Sequence, residues 1–288
     1  MKKLLGRFIG CIAFLLLGAA ALAQGVIQAD RIDSQILGQE VPFNVYLPAG
    51  FQDSDATYPA VYLLHGLSDT YEAWNHNGRI KDVADLLIAS GEITPMVIIM
   101  PNAGHPDIRG EWNGYFNMPG WNYEDFFFRE FMPAVEKRYR CIGDKAHRAI
   151  MGLSMGGGGS TAYSQRHPDC FSSCYAMSAW LDNGEDEVGP LDGSDRFALV
   201  CQAVHNHSCL DFLRNADEAT LEKLRTVAWF FDCGDDDFLF DLSIEIHRLM
   251  KRAGVHDELR VRDGVHNWEY WHTALYTALP FASRNFEK

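Results

Sequence analysis

Positive charge is scarce in this sequence. Its 288 residues include 25 Lys and Arg but 39 Asp and Glu, which gives a formal net charge of −14 at pH 7. A protein that binds nucleic acid or anionic lipid through its overall field needs a surplus of cations instead. The balance therefore argues against both classes of partner, while the acidity by itself names no substrate.

Apolar runs long enough to cross a membrane are also missing. Residues 8–20 come nearest, but they fall short of the roughly 20 apolar residues that a helical span needs. Three cations precede this run and the A-x-A motif Ala21-Leu22-Ala23 follows it, as is typical of a bacterial signal peptide. We expect cleavage of residues 1–23 before Gln24, with export to a periplasm or secretion and no membrane anchor afterwards. Removing these 23 residues and their three cations leaves 265 residues with a formal charge of −17.

The cysteines show no zinc-binding pattern, because no C-x-x-C pair is present. Six cysteines lie beyond the predicted signal peptide: Cys141, Cys170, Cys174, Cys201, Cys209 and Cys233. Export permits disulfides, but six cysteines allow 15 complete pairings. We predict one bridge, Cys201–Cys209, because the two residues flank a short polar segment. Buried free thiols are the alternative.

Short apolar runs alternate with helical patterns along the chain. Val41–Leu47 alternates at period two, which predicts a half-buried edge strand. Further runs are almost wholly apolar or start a glycine motif, as strands buried on both faces of a parallel sheet do: residues 60–64, 96–100, 150–151 and 227–231. Apolar stripes predict helices around Ile80–Leu87, Phe127–Val135 and Leu242–Met250. The order predicts an α/β fold over residues 24–288, with a mostly parallel sheet and helices on both faces.

Residues 181–226 differ in composition from the rest. They are rich in Asp, Gly, Asn and His and lack a strong apolar period. An insertion here could cap a site at the C-terminal ends of the strands, or it could be surface decoration. Two of its histidines, His205 and His207, are too few to make a metal site, so we interpret them as solvated.

The segment Ala149–Gly157 carries the clearest chemical signal. It runs from an apolar strand into the G-x-S-x-G motif Gly152-Leu153-Ser154-Met155-Gly156 and then into a helix start. A serine on such a turn projects its hydroxyl above the sheet, and the N–H of the following residue points to where an oxyanion forms. We predict Ser154 as a nucleophile and the Met155 N–H as an oxyanion donor. A glycine-rich turn with a serine N-cap is the alternative.

A serine nucleophile needs a general base and an orienting carboxylate, which follow in the chain order Ser, Asp, His in sheet-based hydrolases. The apolar run 227–231 leads to three consecutive aspartates, Asp235, Asp236 and Asp237. A later predicted strand, residues 258–261, leads to His266. Both segments place their polar residues at the strand ends where Ser154 lies. Position alone does not choose among the three aspartates.

The second oxyanion donor is expected on the loop after an early strand. His65-Gly66-Leu67-Ser68 follows the apolar run 60–64, so we predict the Leu67 N–H as that donor. His65 and Trp268 are candidates for the substrate pocket. A structural role for His65 and a core position for Trp268 are the alternatives.

The chain resembles the putative-esterase family of α/β-hydrolases, which includes esterase-D-type enzymes and bacterial feruloyl esterases. The resemblance runs from about Val41 to Phe281 and rests on the following pieces: Tyr58-Pro59, Tyr62–Gly66, Trp74, Met100-Pro101, Gly152–Gly157, Cys233-Gly234, Asp237–Leu239, Gly264, His266–Trp268 and Trp271. It implies an α/β-hydrolase fold with Ser154 as nucleophile, His266 as base and Asp237 as acid. Val265 departs from the glycine that the family often has before its histidine.

These observations predict an exported serine carboxylesterase that needs no metal or organic cofactor. Export and the aromatic residues near the site fit a substrate met outside the cytoplasm, and feruloyl or acetyl esters on plant polysaccharide are the leading class. Trp268 could stack on an aryl acid or a sugar. Two other enzymes are alternatives, namely an acyltransferase and a thioesterase of the S-formylglutathione hydrolase type, which is usually cytoplasmic. A non-catalytic carbohydrate-binding relative is the alternative of another class. Such a relative would be expected to lose a triad residue, and none is missing here.

Overall fold

The computed structural model describes residues 24–104, 112–184 and 188–287. The predicted signal peptide therefore lies outside the described residues. No helix within these three ranges has both the length and the apolar character of a membrane span.

Ten strands are present in the described ranges. They are β1 Val26–Ser34, β2 Gln39–Leu47, β3 Ala60–Leu64, β4 Val97–Pro101, β5 Asn117–Met118, β6 Trp121–Asn122, β7 Arg148–Leu153, β8 Ser173–Met177, β9 Ala228–Gly234 and β10 Asp257–Arg262. Eight of them form one sheet in the order β1-β2-β4-β3-β7-β8-β9-β10, and β5 pairs with β6 separately. The neighbouring strands β4, β3, β7, β8, β9 and β10 run parallel to one another. Strand β2 is antiparallel to both of its neighbours, β1 and β4. The predicted α/β-hydrolase fold, with its mostly parallel sheet, is confirmed.

The prediction of an edge strand at Val41–Leu47 is wrong. This segment belongs to β2, which pairs with β1 on one side and β4 on the other. Residues 43–47 are all buried. The edge strand at this end of the sheet is β1, whose charged sequence and alternating exposure suit a position open to solvent on one side.

Ten α-helices flank the sheet within the described ranges. They are α1 Ala73–His76, α2 Ile80–Ala89, α3 Tyr123–Phe126, α4 Met132–Arg138, α5 Met155–Arg166, α6 Arg196–Asn206, α7 Cys209–Asn215, α8 Glu218–Leu224, α9 Phe240–Arg252 and α10 Trp268–Arg284. Side chains of a strand alternate between the two faces of a sheet, so β3 divides its residues between two apolar cores. Tyr62 and Leu64 face the core under α4, α5 and α9, whereas Val61 and Leu63 face the core under α2 and α10.

The predicted insertion at residues 181–226 contains three short helices, α6 to α8. Each begins at a polar N-cap, namely Asp195, Ser208 and Asp217, whose side chain accepts a backbone N–H of the first turn. Helices α7 and α8 bury only three residues and one residue, respectively, which leaves little apolar signal in the sequence, whereas α6 buries six. Val200 of α6 lies near Gly114 and Met155, since a Cβ on Gly114 would be 3.6 Å from Val200 and 3.5 Å from Met155 Sδ. The insertion therefore packs beside the residue that follows Ser154.

The predicted Cys201–Cys209 disulfide is wrong. All six cysteines of the described residues are free thiols. Cys209 begins α7 and its Sγ lies 3.7 Å from the Gly158 carbonyl oxygen of α5, so it faces α5. Burial raises the pKa of Cys201 to about 11, which makes that thiol unreactive at neutral pH.

Candidate active site

Ser154 occupies a sharp turn between β7 and α5. Its backbone has φ 53° and ψ −119°, a conformation that non-glycine residues rarely adopt. The turn is tightly packed, because a Cβ on Gly156 would lie 2.5 Å from the His65 carbonyl oxygen, and one on Gly152 2.5 Å from that of Gly156. Glycine on both sides is therefore required by sterics, and the turn holds the serine in a strained conformation.

A line of hydrogen bonds joins the three residues of the predicted triad. The Ser154 Oγ lies 3.0 Å from His266 Nε2. His266 Nδ1 lies 2.9 Å and 3.1 Å from the two carboxylate oxygens of Asp237. Asp235 and Asp236 are exposed. The structure thus brings Asp237, rather than its two neighbours, to the imidazole.

Asp237 has a fully buried carboxylate. Burial raises its pKa, but hydrogen bonds from His266, the Leu239 N–H and the Ser178 hydroxyl outweigh this, so the pKa falls below the usual value. The Leu239 N–H donates at 2.8 Å. Ser178 is in turn held by Trp271, whose indole N–H donates to its Oγ at 3.0 Å. The carboxylate is therefore ionised and fixed in orientation when it meets the imidazole.

Sequence reasoning missed Ser178 as a residue of this site. It lies directly after β8 with φ 44°, and its N–H donates to the Asp232 carbonyl oxygen at 2.8 Å. The available signal was its position after a strand, but that strand was not predicted.

The imidazole of His266 is packed between two aromatic rings. Trp271 meets it edge-on, with ring centroids 4.8 Å apart and planes at 88°. The Phe238 ring lies 4.4 Å away at 45°. Both rings are thus in contact distance of the imidazole, and Trp271 also binds Ser178, which in turn meets Asp237.

The loop after β3 lies against the serine. A Cβ on Gly66 would be 2.8 Å from the Leu153 side chain and 3.7 Å from Ser154 Cβ. Leu67 follows it and is partly buried. The predicted donors, the N–H groups of Leu67 and Met155, thus belong to the two segments that flank Ser154.

His65 does not line a pocket, contrary to the prediction, because it is fully buried. Its Nε2 accepts the Ala103 N–H at 2.9 Å, so its Nδ1 carries the proton and donates to the Gly66 carbonyl oxygen at 2.7 Å. Burial lowers its pKa to about 4, so the ring is neutral at neutral pH. His65 therefore ties the loop before Leu67 to the segment after β4.

Trp268 is half-buried and packs edge-on against Trp74 and Trp271, at 5.1 Å and 5.3 Å between ring centroids. Its side chain also hydrogen-bonds the carboxyl group of Asp69, on the loop after β3. Burial raises the pKa of Asp69, although the Gly66 N–H, His266 and Trp268 counter this in part. Sequence reasoning missed Asp69. Through it, Trp268 connects the start of α10 to the loop that carries Leu67.

The interpretation of His207 as solvated is wrong. Its ring stacks on Phe116 at 4.2 Å with an interplanar angle of 2°. Its Nδ1 lies 2.7 Å from the Ala203 carbonyl oxygen, and its Nε2 3.6 Å from the buried Glu124 carboxylate. His205 is half-buried. Through these contacts, His207 packs the end of α6 against the core.

Comparison with known proteins places this architecture in a family. Residues 34–282 match the model of the family described as "Putative esterase". The chain belongs to this family.

Three known proteins are similar to this chain. A solved ferulic acid esterase is 50% identical, with a TM-score of 0.87, over 92% of this chain and 99% of that one. An endo-1,4-beta-xylanase/feruloyl esterase of Xylanibacter ruminicola is 31% identical over 151 residues, which cover 51% of this chain. This chain spans only 20% of the length of that relative. An acetyl esterase of Caldicellulosiruptor saccharolyticus is 24% identical over 78% of this chain and 83% of that protein.

Proposed function

We propose that this protein hydrolyses carboxylic esters by a serine mechanism. The observation that carries the proposal is the line of hydrogen bonds from Ser154 through His266 to Asp237. His266 Nε2 takes the Ser154 proton as Oγ attacks the ester carbonyl carbon, while Nδ1 keeps its own proton and donates it in a hydrogen bond to the Asp237 carboxylate. The tetrahedral intermediate collapses to an acyl-enzyme when the alcohol leaves with a proton from His266. Water, activated by the same imidazole, then releases the acid.

The N–H groups of Met155 and Leu67 form the oxyanion hole in this proposal. Met155 starts α5, so its N–H is one of the groups at the helix N-terminus that have no partner within the helix. A Cβ on Gly66 would lie 3.7 Å from Ser154 Cβ, which supports a position for the next residue, Leu67, beside the serine. Loss of one such donor costs about 100- to 1000-fold in kcat.

Feruloyl or acetyl esters on plant polysaccharide are the proposed substrates. The 50% identity with a ferulic acid esterase supports the first, and the acetyl esterase relative supports the second. The expected signal peptide supports export, which would bring the enzyme to a substrate outside the cytoplasm.

The change Ser154→Ala tests the mechanism. Hydrolysis of p-nitrophenyl acetate should fall at least about 1000-fold, because the nucleophile is lost while the turn is kept. The matched control is Ser90→Ala, an exposed serine at the end of α2, which should keep full activity. Persistent activity in the Ser154 variant would show that another group attacks the ester.

A substrate panel tests the proposed ester class. Methyl ferulate, acetylated xylan and S-formylglutathione are compared by kcat/KM with the wild-type enzyme. We expect the first or the second to be preferred. A preference for the thioester would contradict the polysaccharide assignment.

A further inference from the structure

Phe238 is an aromatic side chain left open to solvent beside the proposed base. It is 76% exposed, the highest fraction among the large apolar side chains of the described ranges. Its ring lies 4.4 Å from that of His266. Water contact over most of a phenylalanine ring is unfavourable, so such a ring next to a reacting group points to a ligand surface.

The backbone around Phe238 holds the ring in place. Asp237, directly before it, is buried and accepts the Leu239 N–H on its carboxylate at 2.8 Å. The Phe240 N–H donates to the Asp237 carbonyl oxygen at 2.9 Å and leads into α9. Because the backbone of this segment is already fixed, a ligand that covers the ring orders little further backbone.

The mechanism decides which part of the ester lies near this ring. His266 gives its proton to the departing alcohol, so the alcohol oxygen must come within hydrogen-bond distance of Nε2. The acyl group instead has its carbonyl oxygen between Leu67 and Met155. Phe238 contacts the same imidazole from the solvent, so an alcohol that approaches Nε2 comes close to this ring.

Charges on the two loops that carry Asp237 and His266 restrict the chemistry of that alcohol. Asp235, Asp236 and Asp263 are exposed and can bring carboxylate oxygens within 4.8 Å of one another on the loops that carry Asp237 and His266. Val265 adds an apolar side chain that is 45% exposed. Carboxylates repel an anionic alcohol but accept hydrogen bonds from neutral hydroxyl groups. A sugar ring, with one C–H face and hydroxyl groups at its edge, has the matching pattern.

We propose that Phe238 is a specificity-determining residue that stacks on a neutral sugar ring in the alcohol part of the ester. The inference rests on the proposed function, since it uses His266 as the proton donor to that alcohol. It predicts that the enzyme distinguishes esters by their alcohol as well as by their acyl group.

Two esters with the same acyl group and different alcohols test the inference. The pair is methyl ferulate and a feruloylated arabinoxylan oligosaccharide, with methyl acetate and an acetylated xylo-oligosaccharide as the second pair. Phe238→Ala should lower kcat/KM for the sugar ester about 5- to 10-fold, mainly through KM, and change the methyl ester by less than about twofold. Phe238→Trp keeps an aromatic ring and should therefore leave kcat/KM for the sugar ester close to the wild-type value. Tyr276→Ala, an aromatic residue of α10 that is 41% exposed, is the matched control and should change neither ester.

Two results would overturn the stacking role. If Phe238→Ala lowers kcat/KM equally for both esters of a pair and also shifts its pH profile, the ring only supports the imidazole. If neither ester is affected, or if the wild type cleaves methyl esters but no sugar ester, no sugar binds there. Failure of the proposed function would look different, because Ser154→Ala would then keep its activity or the wild type would cleave none of the four esters.

Discussion

Asp232 and Asp237 are both withdrawn from solvent, one inside β9 and the other in the loop beyond its end. Asp232 accepts hydrogen bonds from the hydroxyl groups of Tyr175 and Tyr270, each at 2.6 Å, and from the guanidinium of Arg260. Asp237 accepts them from an imidazole, a backbone N–H and a serine hydroxyl. The two carboxylates thus share burial and differ in their partners.

The partners decide what each carboxylate does. A guanidinium stays charged at every accessible pH, so the hydrogen bonds of Asp232 form a fixed link between β8, β9, β10 and α10. An imidazole gains and loses a proton near neutral pH, and the second nitrogen of His266 faces Ser154. A buried carboxylate paired with arginine therefore stabilises the fold at this edge of the sheet, whereas a buried carboxylate paired with histidine is suited to catalysis.

The change Asp237→Asn should have the largest effect. The amide can no longer accept the Nδ1 proton in the right orientation, so the imidazole changes tautomer and kcat should fall on the order of 10⁴-fold. The measurement is kcat for p-nitrophenyl acetate, with the urea midpoint recorded in parallel. Asp241→Asn, an exposed residue in the first turn of α9, is the control and should keep its activity. A loss of less than tenfold would show that His266 is oriented without Asp237.

The change Asp232→Asn should act on stability instead. It leaves the guanidinium groups of Arg260 and Arg262 without their buried counter-charge, which should cost on the order of 3 kcal/mol in the free energy of unfolding. Urea denaturation measures this cost, and kcat below the transition should stay within a few-fold of wild type. A large loss of kcat in the folded variant would contradict the assignment of a structural role to Asp232 and a catalytic role to Asp237.

The fold was predictable where composition reflects burial. The runs that became β3, β4 and β9 are almost wholly apolar because both of their faces are covered. Edge strand β1 was not predicted because solvent on one side lets it carry Asp and Arg. Strand β8 is as short as β3 and β4, but it begins with Ser173 and contains no Val, Ile or Leu, so it lacks the aliphatic residues that mark those two strands.

The chain order of Ser154, Asp237 and His266 was predictable because parallel strands bring their C-terminal ends to one edge. The choice of Asp237 over its two neighbours was implied by resemblance alone, since all three aspartates follow the same strand. Ser178 and Asp69 carry no motif, and only their contacts identify them. The free Cys209 shows the same limit, because its nearness to Cys201 in the chain says nothing of the helix face on which it lies.

Asp69 is a third carboxylate near the site, and Asp69→Asn should have the smallest effect. Burial raises the pKa of Asp69 above the unfolded value, so its ionised form is disfavoured in the folded state. That cost is present at neutral pH and disappears as the pH falls through the folded pKa towards the unfolded value near 3.8. Asp237 has the opposite sign, because its lowered pKa stabilises the fold above the unfolded value and is lost as the pH falls through the folded one.

Thermal unfolding midpoints at pH 7 and pH 4 separate these cases. At pH 7 Asp69→Asn should be more stable than wild type by a few degrees, and the difference should shrink at pH 4. The exposed Asp53→Asn is the control and should show no such change. If Asp69→Asn is instead less stable at pH 7, the hydrogen bonds from Gly66 and Trp268 outweigh burial. Asp69 would then resemble Asp232, as a carboxylate whose fixed partners hold two segments together.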